Sequence, residues 1–173
     1  MKTLTKVALL TTTLALAACA KSPFDRSGDG AGGAGANGLN NGGISTSALD
    51  PNSPAYFSQT IGDKVLFAVD QSTLGDEARS TLGQQANWLS NNPSYSAIIE
   101  GHADEQGTRE YNLALGARRA AAARDYLVAN GVADNRLRTV SFGKERPLEV
   151  CSVESCYAKN RRAVTVISAG VGS

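Results

Sequence analysis

The chain has 173 residues, 17 Lys and Arg against 16 Asp and Glu, and 42% apolar residues, a length that holds one ordinary domain with room for extra segments. The near-neutral charge lacks the basic footprint of nucleic-acid binding, and no block of like charges forms a polybasic or acidic tail. No apolar run reaches the ~18 to 20 residues of a membrane-spanning helix.

The first segment reads as a targeting signal. Lys2 and Lys6 precede the mostly apolar stretch Val7 to Ala18, which ends Leu16-Ala17-Ala18-Cys19. A charged start, a short apolar middle and small residues before the cut are the layout of a secretory signal over residues 1–18. The cysteine directly after them resembles the lipobox of bacterial lipoproteins, which implies cleavage before Cys19 and acylation of its thiol. An ordinary signal with a chance cysteine is the alternative. Cleavage leaves 15 cationic against 16 anionic side chains. Ala20, where many inner-membrane lipoproteins carry aspartate, implies sorting to the outer membrane.

Residues 19–53 then form the expected tether. Eight of the 18 glycines fall between Gly28 and Gly43, among Asn, Ala, Ser and Asp. Such a sequence buries too little apolar surface to offset the entropy of ordering, so disorder is expected. The 32 residues from Lys21 to Asn52 have an expected span of roughly 30 Å as a flexible coil and a stretched limit near ~110 Å.

The folded domain is expected over residues 54–173. A short Ala55 to Thr60 segment leads into Lys64 to Val69, whose composition is that of a strand. Asp76 and Glu77 open a helix in which Ala78, Leu82, Ala86 and Leu89 share one face, until Asn91-Asn92-Pro93 stops it. Tyr95 to Glu100 predicts a second strand ended by Gly101. Thr108 can cap a long helix reaching Asn130-Gly131, with Gly116, Ala120, Ala123 and Leu127 on its core face. Further strands are expected at Leu137 to Phe142 and Arg162 to Ile167. The result is a β-α-β-α-β-β two-layer α/β sandwich with a mixed sheet.

The run Ile99-Glu100-Gly101-His102-Ala103-Asp104-Glu105-Gln106-Gly107-Thr108, followed by Glu110-Tyr111-Asn112-Leu113-Ala114-Leu115-Gly116-Ala117-Arg118-Arg119-Ala120, resembles the signature of OmpA-like peptidoglycan-binding domains. Val140 to Pro147 and Asn160 to Val164 resemble the later motifs of the same family, so the likeness spans about Val65 to Ile167. Together with the lipobox and the tether, this is similar to the lipid-anchored members that work with the Tol proteins in envelope integrity and cell division. The resemblance implies noncovalent binding to the diaminopimelate residue of the peptidoglycan stem peptide, association with the periplasmic propeller protein TolB, no catalysis and no cofactor. It places the ammonium contact on Asp104 and the carboxylate contact on Arg119, with Asp70, Asn112, Leu115 and Arg161 lining the groove. Ala68-Val69 departs from enteric relatives, which carry an acidic or small residue and then phenylalanine.

The residue chemistry suits this ligand. Diaminopimelate ends in an ammonium and a carboxylate, which call for an acceptor-only carboxylate and a cationic fork held apart by fixed backbone. Asn112, Leu115 and Arg119 lie at offsets 0, 3 and 7, one helical stripe beside the core stripe, so Arg119 is expected to be exposed along a groove. On composition alone Arg118-Arg119 is a solvated helix face. Of Arg161 and Arg162, which alternate at a strand start, only one can face the ligand, and Arg161 is the choice. His102 with Glu100 and Asp104 lacks a second ligand cluster for a metal. No nucleophile elbow accompanies the single histidine, which disfavours a hydrolase. Trp88 reads most simply as a packing anchor, with a protein interface as the alternative.

With Cys19 acylated, the odd cysteine count becomes a pair, and Cys151–Cys156 is the expected disulfide in an oxidising compartment. A zinc site at this Cys-x4-Cys lacks two ligands. Three functional classes stand side by side: a wall-anchoring module, a peptidoglycan-processing enzyme, and a TolB-binding hub with secondary wall binding. Flagellar stator proteins and outer-membrane porins carry similar domains, but need a transmembrane helix or about eight additional strands.

Overall fold

The computed structural model describes residues 50–169. The signal at 1–18, Cys19 and the tether as far as residue 49 lie outside the described residues. Ser53 caps the first helix, α1 (Pro54–Tyr56), its Oγ accepting from the Tyr56 amide at 3.0 Å, with Pro54 in the first turn where its missing N–H costs nothing. The chain continues through a wider, π-wound turn, Phe57–Gly62, that buries Phe57.

Strand β1 is short, Lys64–Leu66, rather than extending to Val69. The Phe67 amide still reaches Arg161 O at 2.9 Å, but Ala68 to Gln71 then closes a turn, Gln71 N donating to Ala68 O at 3.2 Å. Within that turn Asp70 adopts φ 55°, a left-handed conformation that the short Asp side chain tolerates. The strand composition of Lys64 to Val69 therefore concealed a reversal.

Helix α2 (Asp76–Asn91) buries Ala78, Leu82, Ala86 and Leu89 as its periodicity predicts, and Trp88 and Gln85 with them. Trp88 is a packing anchor: its ring lies 5.0 Å from Phe57 and 5.2 Å from Tyr95, and its Nε1 donates to Pro51 O at 2.6 Å. Strand β2 (Tyr95–His102) alternates, with Tyr95, Ala97 and Ile99 in the core. It runs past Gly101, where the pairing register shifts without ending. Helix α3 (Arg109–Ala129) starts at Thr108, whose hydroxyl accepts from Tyr111 N at 3.2 Å. A single 3₁₀ turn at Asp134–Arg136 precedes β3 (Leu137–Gly143).

An additional helix, α4 (Glu154–Asn160), stands between β3 and β4 (Arg162–Ala169), so the order from β1 onward is β-α-β-α-β-α-β. It carries no apolar period: among its seven residues only Cys156 and Asn160 are buried. The sheet has the order β1-β4-β2-β3, with β4 antiparallel to both neighbours and β2 parallel to β3. Helices α2 and α3 cover one face, as the two-layer expectation requires. Buried polar pairs join the layers: Gln85 Nε2 donates to Gly62 O, and Thr165 Oγ1 to Gln85 Oε1, both at 2.7 Å.

Candidate functional site

Four segments converge beyond the carboxyl end of β2: the Ala68–Gln71 turn, the loop 103–107, the start of α3, and Arg161 just before β4. Several bonds fix the loop. Ala103 N donates to Gly143 O at 2.8 Å, Asn112 Nδ2 to Gln106 O at 2.7 Å, and Lys144 Nζ to Gly107 O at 2.8 Å. The Asp104 side chain turns back to accept from Gln106 N at 3.3 Å.

Arg119 is the hub. Its Nε donates to Gln71 O at 2.8 Å, Nη1 to His102 O at 2.9 Å and Nη2 to Ala68 O at 3.1 Å, and its guanidinium lies 5.3 Å from the Phe67 ring centroid. Asn112, Leu115 and Arg119 do share a stripe, but the expected exposure of Arg119 is overturned: it is 0% exposed. The turn after β1 folds over that stripe, and its carbonyls, which lack strand partners, are satisfied by the fork. Burial pushes the Arg119 pKa down to about 10, against the opposing pull of Asp104, so it remains cationic at neutral pH.

Asp104, 8% exposed, accepts from Arg161 Nη1 at 3.2 Å. Arg161 also donates from Nε to Phe67 O at 3.3 Å and from Nη2 to Glu154. Burial opposes the Arg161 charge, but its bonds to Glu154 and Asp104 outweigh that and raise its pKa. The same bond holds the Glu154 carboxyl below the usual range. Arg162 leaves the cluster, donating instead to Asn160 O at 3.3 Å and Arg146 O at 3.2 Å. At the rim, Tyr111 Oη donates to Asp70 Oδ1 at 3.2 Å.

The six ligand residues of the sequence reading thus come together: Asp70 exposed at the rim, and Asp104, Asn112, Leu115, Arg119 and Arg161 buried. Glu154, Tyr111 and Gln71 join them without having been singled out. Glu154 precedes Arg161 by seven residues, a same-face spacing legible only if α4 is recognised. Elsewhere, a concavity of about 440 Å³ flanks β1, lined in part by Leu66, Gly75, Leu148 and Lys159. It contains no buried charge, so the chemistry points to the Asp104 cluster.

Cys151 and Cys156 are bonded, with Cα atoms 6.0 Å apart. His102 is buried against Phe142, ring centroids 5.5 Å apart. Its Nε2 lies 3.4 Å from Glu100 Oε2, yet neither ring nitrogen has an aligned hydrogen bond. Burial first, then Arg162 and Arg146, push its pKa down to about 4.

Residues 66–161 match the OmpA family. The chain is 50% identical over 167 residues to a peptidoglycan-associated lipoprotein of Rhizobium meliloti strain 1021, covering 95% of this chain and 87% of that one. Among solved structures, the peptidoglycan-associated lipoprotein of Burkholderia pseudomallei superposes with a TM-score of 0.62 at 40% identity, covering 70% of this chain and 98% of that one. The C-terminal domain of Helicobacter pylori MotB shares the fold, with a TM-score of 0.58 at 19% identity, covering 63% of this chain and 86% of that one. The cluster around Asp104 and Arg119 is therefore set in a known scaffold of binding rather than catalytic proteins, and the chain belongs to the OmpA family and, within it, to the peptidoglycan-associated lipoproteins.

Proposed function

We propose that this chain ties the outer membrane to the cell wall. Cys19 carries the lipid anchor, residues 19–53 form the tether, and the domain over 54–173 binds peptidoglycan in the periplasm through the diaminopimelate of the stem peptide. The observation that carries this reading is the pairing of an acceptor-only carboxylate, Asp104, with a rigidly held cation, Arg119, at one end of the sheet. Asp104 accepts the ammonium of diaminopimelate. Arg119, with two of its five N–H groups left over from its carbonyl bonds, supplies positive charge for the carboxylate. Asp70, Asn112, Leu115 and Arg161 complete the binding surface. The names of the relatives support wall association.

This proposed role includes a place in the Tol system with TolB as protein partner, a reading supported by the resemblance of the signature to the Tol-associated members of the family. Exposed apolar side chains at Val69, next to Asp70, and Val153, next to Glu154, support a protein contact near the cluster.

The test is co-sedimentation of the full-length protein with purified walls of the diaminopimelate type and of the lysine type, which lacks the side-chain carboxylate. The expected result is preferential pelleting with diaminopimelate walls, and a roughly ten- to hundredfold loss for Asp104→Ala, as for removal of a charge-assisted bond. Equal pelleting of the wild type and Asp104→Ala on both walls overturns the reading.

A further inference from the structure

Glu154 is the first residue of α4, and its side chain is 66% exposed. Its carboxylate receives Nη2 of the buried Arg161 and lies 3.5 Å from Nη1, which itself donates to Asp104 Oδ2 at 3.2 Å. One buried guanidinium is thus shared between a carboxylate inside the cluster and a carboxylate at its rim. Asp104 and Arg161 alone cancel, leaving little field for an incoming cation. Glu154 restores one net negative charge to the trio and holds Nη2 away from Asp104, while the charge of the neighbouring Arg119 is opposed by Asp70.

The backbone delivers Glu154 to this place. Arg161 lies seven residues on, two helical turns along the same side. A helix of seven residues is too short to persist alone. Its first turn is secured by the Cys151–Cys156 bond and by amide bonds from Cys156 and Tyr157 to Val153 O at 3.0 and 3.2 Å.

We infer that Glu154 is a positioning residue for cation recognition: by sharing Arg161, it leaves Asp104 the net negative charge that accepts a ligand ammonium. This rests on the reading of Asp104 as the ammonium contact. The probes are soluble diaminopimelate muropeptides with a free side-chain amine and the same muropeptides after acetylation of that amine, titrated against the full-length protein.

Glu154→Gln should weaken binding of the free-amine probe roughly three- to fivefold, the scale of an exposed charge, and leave the acetylated probe unchanged. Glu154→Asp should recover most of the loss. In an Arg161→Gln background, where Asp104 is no longer neutralised, Glu154→Gln should have a smaller effect. Asp104→Asn separates the two claims. If it loses binding while Glu154→Gln does not, or if Glu154→Gln weakens both probes equally, the inference is overturned and the reading of Asp104 stands. If Asp104→Asn binds like the wild type, the reading of Asp104 falls, and this inference with it.

Discussion

Gly101 of β2 and Gly116 of α3 meet backbone to backbone: a Cβ on Gly101 would stand 1.8 Å from Gly116 O, and one on Gly116 only 2.4 Å from Ser141 Oγ. Glycine at both positions lets the helix lie close enough for Arg119, one turn on, to reach His102 O. Gly116→Ala should destabilise the domain by about 1 to 3 kcal/mol or more through overpacking, despite the better helix propensity of alanine. Gly83 on α2 has nothing within 4 Å of the equivalent position, so Gly83→Ala should stabilise by about 1 kcal/mol. Urea unfolding of the two variants side by side checks both signs.

Arg119→Ala should not fold like the wild type. It removes three donors from the carbonyls of Ala68, Gln71 and His102, and leaves a cavity where the largest fully buried side chain stood. The expected cost is about 3 to 5 kcal/mol, the sum of the cavity and of the buried His102 carbonyl left without this donor, while Ala68 O keeps the Gln71 amide. Arg119→Lys keeps the charge but not the fork, and should fall between. Chemical denaturation midpoints order the three proteins.

The buried His102 should give the protein an acid-sensitive stability. Its folded pKa of about 4 lies below its unfolded value, so between about pH 6.5 and 4 the unfolded chain binds the extra proton. The stabilisation is therefore complete above about pH 6.5 and is lost as pH falls toward 4, a change on the order of 3 kcal/mol. The charged groups facing the ring are Glu100, Arg146 and Arg162. His102→Phe should flatten this part of the stability-versus-pH curve, measured by denaturant titration at each pH.

Cys151 and Cys156 should show no free thiol in denatured, unreduced protein. Reduction should cost ~2 kcal/mol on the chain-entropy account of so small a ring. Thiol titration checks the first claim, and melting with and without reductant the second.

The layered architecture was legible because α2, α3 and β2 each carry a clear apolar period: Ala78-Leu82-Ala86-Leu89 and Gly116-Ala120-Ala123-Leu127 are the faces the structure buries. Helix α4 was not, since its position depends on a disulfide, on Arg161 and on Asn160, whose Oδ1 accepts from Leu148 and Glu149, rather than on a stripe. The composition of the cluster was readable from the signature, but its burial was not. Helical spacing assigns Arg119 to a face; only the turn at Asp70, hidden in a strand-like run, determines that this face is roofed.

The Trp88–Pro51 bond fixes where the chain joins the fold: beside Tyr95, at the opposite end of β2 from the Asp104 cluster. The eight residues of β2 separate these ends by roughly 23 Å at strand rise. In the proposed role, with an anchored N-terminus and a wall-bound cluster, tension would run lengthwise along the central strand. Its ladders to β4 on one side and β3 on the other are loaded in shear, many hydrogen bonds at once, instead of being peeled open one after another. In that role the domain is pulled along its strands, and its lifetime under force follows its unfolding rate rather than its equilibrium stability.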